Sequence, residues 1–203
     1  EVVEQELCSA VKEYNAEMGM AAFVDCNSGE VLALAHFDPQ EAHPEKPFKL
    51  RAISDQFEPG SVLKPITAAG ILDAGLVDFD DSIYCESGRW KIGRRTLRDD
   101  KKRDSLTFRQ IIELSSNIGL AKCAIELGGE QLYQTAEKFG LGRQTGIELP
   151  GECAGSIGRP NRWSEYTTAA LAMGHAVAVN SLHLAMAFAA VANGGELLQP
   201  RLI

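Results

Sequence analysis

Of the residues able to do covalent chemistry, Ser61 and Lys64 stand out by their setting. They lie in Glu58-Pro59-Gly60-Ser61-Val62-Leu63-Lys64-Pro65. Pro59-Gly60 breaks the chain there, and the apolar run from Ile66 to Leu72 predicts a helix that Ser61 opens. Residues three apart on a helix share a face, so the hydroxyl and the ammonium should sit one turn apart. A lysine that gives up its charge can accept the serine's proton and so make it a nucleophile. Burial favours this, because desolvation disfavours the ionised form. A serine at a helix N-terminus also finds free backbone N–H groups for an oxyanion. The spacing alone is common. Ser9-Ala10-Val11-Lys12 repeats it with no chain breaker ahead, and that copy reads as chance. For Ser61 the plain alternative is a helix N-cap.

A second polar cluster, Ser115-Ser116-Asn117, falls between two apolar segments with helical periodicity, Leu106 to Leu114 and Gly119 to Leu127. These three side chains compete for backbone hydrogen bonds and make a poor helix interior. The tripeptide is either a helix junction with a capping serine or a polar corner facing Lys64. In the second case one hydroxyl relays a proton and the amide holds a peptide group of the substrate.

The elements that must position these residues follow from periodicity and turn chemistry. Val2 to Met18 reads as an amphipathic helix. Met20 to Asp25 and Val31 to His36 read as two strands joined at Asn27-Ser28-Gly29, a β-hairpin. Asp38 to Lys49 is an irregular loop, and the helix begun at Ser61 stops at Gly75. Ser82 to Arg98 reads as a small hairpin, and Thr107 as a helix N-cap. Gln131 to Phe139 and Trp163 to Met173 are helical, Thr145 to Ile157 is loop, and Asn180 caps a helix from Leu182 to Ala192. The fold class is α+β. A lone hairpin is marginal in water, and the chain stops at Pro200-Arg201-Leu202-Ile203, which reads as the start of a strand. The antiparallel sheet is therefore expected to be completed by residues beyond Ile203.

Composition narrows the function. The 203 residues are 45% hydrophobic and 24% charged, ordinary for one globular domain. A net charge of -8 argues against nucleic acid as a partner. The basic cluster from Arg89 to Arg103 is interleaved with Asp99, Asp100 and Asp104 and reads as a solvated hairpin and loop. No apolar run reaches the roughly 18–20 residues of a membrane span. The five cysteines form no C-x-x-C pair, and Cys26 and Cys123, in apolar stretches, read as buried thiols. The four histidines lack metal-ligand spacing. Neither metal nor cofactor is expected.

Taken together, S-x-x-K followed by S-x-N resembles the penicillin-binding proteins and serine β-lactamases. Glu58 to Pro65 resembles the nucleophile segment of the class B penicillin-binding proteins, as does Leu114-Ser115-Ser116-Asn117-Ile118-Gly119. So do Phe139-Gly140-Leu141-Gly142, Gly146 to Glu152, and the segment from Ala187 to Pro200 with Asn193-Gly194-Gly195. The resemblance runs from about Met20 to the last residue. It implies a transpeptidase fold and a peptidoglycan D,D-transpeptidase acting on D-Ala-D-Ala stem peptides, with β-lactams as inhibitors. Ser61 would be the nucleophile and Lys64 its base, Ser115 would pass a proton to the leaving D-alanine, and Asn117 would hold the substrate amide. The implied setting is the periplasmic face of the bacterial inner membrane, with an anchor preceding residue 1. A membrane glycosyltransferase and divisome or elongasome proteins are the implied partners.

Two departures are visible. The family's Lys-Thr-Gly or Lys-Ser-Gly strand is absent and is expected beyond Ile203, so a single, C-terminally truncated domain over 1–203 should show little stable acylation by itself. Loss of one oxyanion donor costs on the order of 10²–10³ in rate. Gly174-His175-Ala176 stands where relatives carry Gly-x-Gly, so Ala176 narrows the backbone's options and His175 reads as a plain loop residue. The alternatives are a serine β-lactamase, with Glu148 or Glu152 as deacylating base, and a non-catalytic fragment that binds partners of a wall-synthesis complex.

Overall fold

The computed structural model describes residues 1–40 and 49–202, so most of the loop expected over 38–49 lies outside the described residues. In chain order the elements begin with α1 (Val2–Glu13), β1 (Gly19–Val24), β2 (Val31–Phe37), α2 (Arg51–Ser54) and α3 (Lys64–Asp73). Next come β3 (Ser82–Tyr84), β4 (Arg89–Ile92), β5 (Arg95–Arg98), β6 (Ser105–Thr107), α4 (Phe108–Glu113), α5 (Asn117–Leu127) and α6 (Gly129–Lys138). The chain ends with β7 (Ser156–Ile157), α7 (Glu165–Ala172), β8 (Val177–Ala178) and α8 (Ser181–Ala192). Every ladder among the described strands is antiparallel and two-stranded, pairing β1 with β2, β3 with β6, β4 with β5 and β7 with β8.

These elements form two compact units. The first comprises residues 1–57, 139–155 and 179–203, the second residues 58–138 and 156–178. In the first, the expected hairpin forms with Gly19 opposite Phe37, and Arg201 forms a parallel bridge to Glu30. Helices α1 and α8 pack against the hairpin. Val31, Ile53, Ile147, Leu182 and Met186 make its core. Asn180 caps α8 as expected, and it does so reciprocally with His183. Asn180 Oδ1 accepts from the His183 N–H (2.8 Å) and His183 Nδ1 accepts from the Asn180 N–H (3.1 Å). With Nδ1 accepting, Nε2 carries the proton and donates to the Arg143 carbonyl (2.7 Å).

In the second unit, α5 is the central helix, packed on α3, α4, α6 and α7, with Ile118, Leu120, Ala121 and Ala124 fully buried. The segment 82–98 differs from the single hairpin expected of it. Only β4 and β5 form a hairpin, turning at Gly93-Arg94, while β3 pairs with β6. Glu86 and Ser87, both with positive φ, turn the chain between β3 and β4. Lys122 of α5 ties this corner down, donating to the Tyr84 carbonyl (2.8 Å) and Glu86 (2.7 Å) beside the Tyr84 and Trp90 rings. Thr107 caps α4 with Gln110 in a full capping box, as its sequence predicts. Cys123 is buried as expected, but Cys26 is only half-buried, and the fully buried thiol is Cys85.

Burial holds the His183 pKa below the usual histidine value, against the opposing pull of the Arg143 carbonyl and of Glu152. The unfolded chain therefore protonates first as the pH drops. The stabilisation from the capping pair is complete above about 6.5 and is lost as pH falls from there through the folded value. Urea unfolding followed from pH 8 downwards should show a falling midpoint below 6.5, and the fall should be blunted in His183→Gln.

Candidate active site

Ser61 lies in a 3-10 turn, Gly60–Leu63, that runs straight into α3 at Lys64. This tighter turn differs from the plain α-helical start expected. In a 3-10 turn side chains three apart are nearly eclipsed, so it stacks Ser61 over Lys64 more directly than an α-turn would. The Lys64 N–H bonds the Ser61 carbonyl across the turn. Ser61 is exposed, whereas Lys64 is 2% exposed.

A buried ammonium needs acceptors for its hydrogens. Lys64 Nζ meets the Ser115 carbonyl at 2.6 Å, Ser115 Oγ at 2.9 Å and Asn117 Oδ1 at 2.7 Å. Three of the four residues singled out in the sequence thus converge on one nitrogen, with Ser61 one turn away. Burial brings the Lys64 pKa down to about 8, against the upward pull of the Asp99 charge. The neutral amine keeps two hydrogens and a lone pair. Its two hydrogens suit the two carbonyl acceptors, leaving the lone pair for a hydroxyl. That is the state in which it can take a proton.

Ser115 reaches this position only with φ at 54°, in the left-handed region. For a non-glycine residue that costs on the order of 1–2 kcal/mol and persists only where the surroundings impose it. Here the imposing group is Asp99. Its Oδ2 accepts from Ser116 Oγ (2.6 Å), and its Oδ1 accepts from the backbone N–H groups of Asn117 (2.6 Å) and Ile118 (3.0 Å). Ser116 Oγ in turn accepts from the Gly119 N–H (3.0 Å), making Ser116 the N-cap of α5. The Asn117 amide is aimed from its other side by donating Nδ2–H to the Arg98 carbonyl (2.9 Å). From sequence alone Asp99 reads as one acid in a solvated loop. The signal available was an Asp after a strand-like run and ahead of a helix whose N-terminus would need an anion, but no periodicity links the two.

Beside Ser61, Glu58 reaches across to residues 175 and 176. Its Oε1 accepts from the Ala176 N–H (2.9 Å), and its Oε2 lies 3.1 Å from His175 Nδ1. These contacts, the backbone one first, hold the Glu58 pKa below the usual carboxylate range. His175, read as a plain loop residue, thus partners Glu58 while staying exposed. Ala176 has φ 61°, in the left-handed region that favours glycine, at the position where the sequence departs from Gly-x-Gly. Gly60 donates its N–H to the Gly174 carbonyl (3.0 Å), and a Cβ on Gly174 would overlap the Gly60 carbonyl.

The comparisons with known proteins now decide the family. Residues 19–203 match the penicillin binding protein transpeptidase domain. The chain belongs to the penicillin-binding-protein transpeptidase family, on its class B branch. It is 32% identical over 194 residues to the probable peptidoglycan D,D-transpeptidase PbpC of Pseudomonas aeruginosa, covering 93% of this chain and 34% of that protein. It is 33% identical over 199 residues to the peptidoglycan D,D-transpeptidase FtsI of Escherichia coli strain K12, covering 96% of this chain and 34% of that protein. The chain thus spans about a third of the length of these relatives. Among solved structures it resembles the apo transpeptidase domain of Burkholderia pseudomallei penicillin-binding protein 3, with TM-score 0.88 and 30% identity over 97% of this chain and 56% of that one.

Two outcomes are expected of this penicillin-binding-protein site. Asp99→Asn should lower stability by about 1–2 kcal/mol through the weakened cap, read by denaturant unfolding. Ala176→Gly should raise it by about 1 kcal/mol in the same assay, because glycine relieves the left-handed strain.

Proposed function

We propose that the protein is a peptidoglycan D,D-transpeptidase working through a Ser61 acyl-enzyme. The observation that carries this reading is the exposed Ser61 one turn from a buried Lys64, whose acceptors are supplied by Ser115 and Asn117. Neutral Lys64 takes the Ser61 proton as Oγ attacks the carbonyl carbon of the penultimate D-alanine. The tetrahedral intermediate collapses with cleavage of its C–N bond, and the terminal D-alanine leaves with a proton passed through Ser115. Asn117 holds the amide of the donor peptide. An amine of a neighbouring stem peptide then attacks the ester, freeing Ser61 and forming the cross-link. β-Lactams acylate Ser61 by opening their ring, which keeps the leaving nitrogen attached. We read residues 1–203 as part of one transpeptidase domain, held at the outer face of the inner membrane by an anchor elsewhere in the protein. Wall glycosyltransferases and division or elongation proteins are its expected partners.

A β-lactamase would need a free general base for deacylation. Glu152 is a weak candidate, since its Oε1 accepts from Thr145 N–H (2.7 Å) and Oγ1 (2.6 Å) and clamps its own loop.

The test is labelling of the full-length protein by a fluorescent penicillin. The rate should rise with pH through a midpoint near about 8, as Lys64 loses its proton. Ser61→Ala should abolish labelling, and Lys64→Ala should slow it on the order of 10²–10⁴-fold. In Asp99→Asn the midpoint should move to lower pH, because a charge that raises the Lys64 pKa is gone. Labelling that survives Ser61→Ala, or an adduct that turns over rapidly, would overturn the transpeptidase reading.

A further inference from the structure

Alongside the nucleophile segment, the second unit holds an open hollow of about 610 Å³. One wall is the turn of the β4–β5 hairpin with Arg94 and Arg95, another is the first turn of α7, and Glu58, His175 and Ala176 form the side nearest Ser61. Its charges are unequally committed. Both Glu58 oxygens are engaged by Ala176 and His175. Glu165 stands in the first turn of α7, where the helix dipole offsets a negative charge. Among the described residues, neither Arg94 nor Arg95 forms an ion pair. The Arg95 guanidinium carbon lies over the Tyr166 ring, 4.3 Å from its centre, and the guanidinium N–H groups make no hydrogen bond among the described residues. On a protein of net charge -8, two free guanidiniums in one hollow beside the nucleophile segment are the feature that asks for a ligand.

We propose that this hollow is a subsite for a carboxylate carried by the donor peptide, upstream of the bond that Ser61 attacks. Guanidinium groups match a carboxylate through paired N–H donors, and the stacked Arg95 loses little freedom on binding. Ser164 and Thr167 add hydroxyls at the rim, although they already bond one another (3.0 Å). The subsite selects the peptide and takes no part in bond making. Arg94 and Arg95 are therefore specificity residues, and the carboxylate they would hold is that of an acidic residue in the stem peptide. The identity of the ligand, though not the anion site itself, rests on the transpeptidase reading.

The experiment measures equilibrium binding of two fluorescent peptides to the full-length Ser61→Ala protein. Both end in D-Ala-D-Ala and contain a γ-linked D-glutamate, with its α-carboxylate free in one and amidated in the other. The free carboxylate should bind roughly three- to tenfold more tightly, the range expected of solvent-accessible ion pairs. In Arg94→Gln/Arg95→Gln the preference should fall to about one, with thermal unfolding as the check that the exposed substitutions leave the fold intact. Arg94→Lys/Arg95→Lys should keep part of it. Equal binding of the two peptides, or a preference that survives the Gln pair, overturns the subsite. Penicillin labelling of the unsubstituted protein reports separately on the transpeptidase reading. Absent labelling with a carboxylate preference intact would sink that reading and leave the anion site standing.

Discussion

A lysine ammonium taken out of water must have its hydrogens accepted, and among the described residues the acceptors at Lys64 belong to residues 115 and 117. This requirement shapes the surrounding unit. Ser115 turns its carbonyl and hydroxyl to the same nitrogen only from a left-handed backbone. That backbone is held because the next two N–H groups and the Ser116 hydroxyl close on Asp99. Asp99 in turn is delivered by β5, whose hairpin is fixed at this same open end, where the Asp99 N–H bonds the Gly88 carbonyl (3.2 Å) and Lys122 pairs with Glu86. Sequence-distant pieces are thus coupled through one buried charge. Breaking a buried polar network by removing one partner is far more damaging than the net worth of any single bond in it.

The same arrangement sets opposing pressures on the proton of Lys64. Desolvation drives it off, while Asp99 holds it on. A base needs a pKa near its working pH, and a value of about 8 lets the amine be uncharged in a useful fraction of molecules. Asp99 therefore has two effects that separate experimentally. Its hydrogen bonds orient the tripeptide, and its charge tunes the nitrogen that the tripeptide surrounds.

Much of this was legible beforehand. The helices and their caps at Thr107 and Asn180 follow from local signals, and so does the first hairpin with its Asn-Ser-Gly turn. Ser61, Lys64, Ser115 and Asn117 stand out because two short motifs each join a polar residue set to a chain break or helix junction, and the fold brings the last three together. What stayed hidden depends on contacts between residues far apart in sequence. No local pattern pairs β3 with β6 rather than with β4, because the three-residue strands carry too little alternation to fix a partner. Asp99 was lost among neighbouring charges for the same reason, since its meaning lies in the helix start it meets. The departure at Ala176 was visible, but its consequence, an N–H aimed at Glu58, needed the fold.

The close passage of Gly60 and Gly174 carries an implication for variation among proteins of this kind. A single methyl group at residue 174 would collide with the backbone that leads into Ser61, so this position has no room for drift or for selection. The flank of the hollow next to the nucleophile can be reshaped only through its neighbours. Of those neighbours, Ala176 is held at φ 61°, where side chains beyond alanine are strained, so the exposed His175 is the position with room to change.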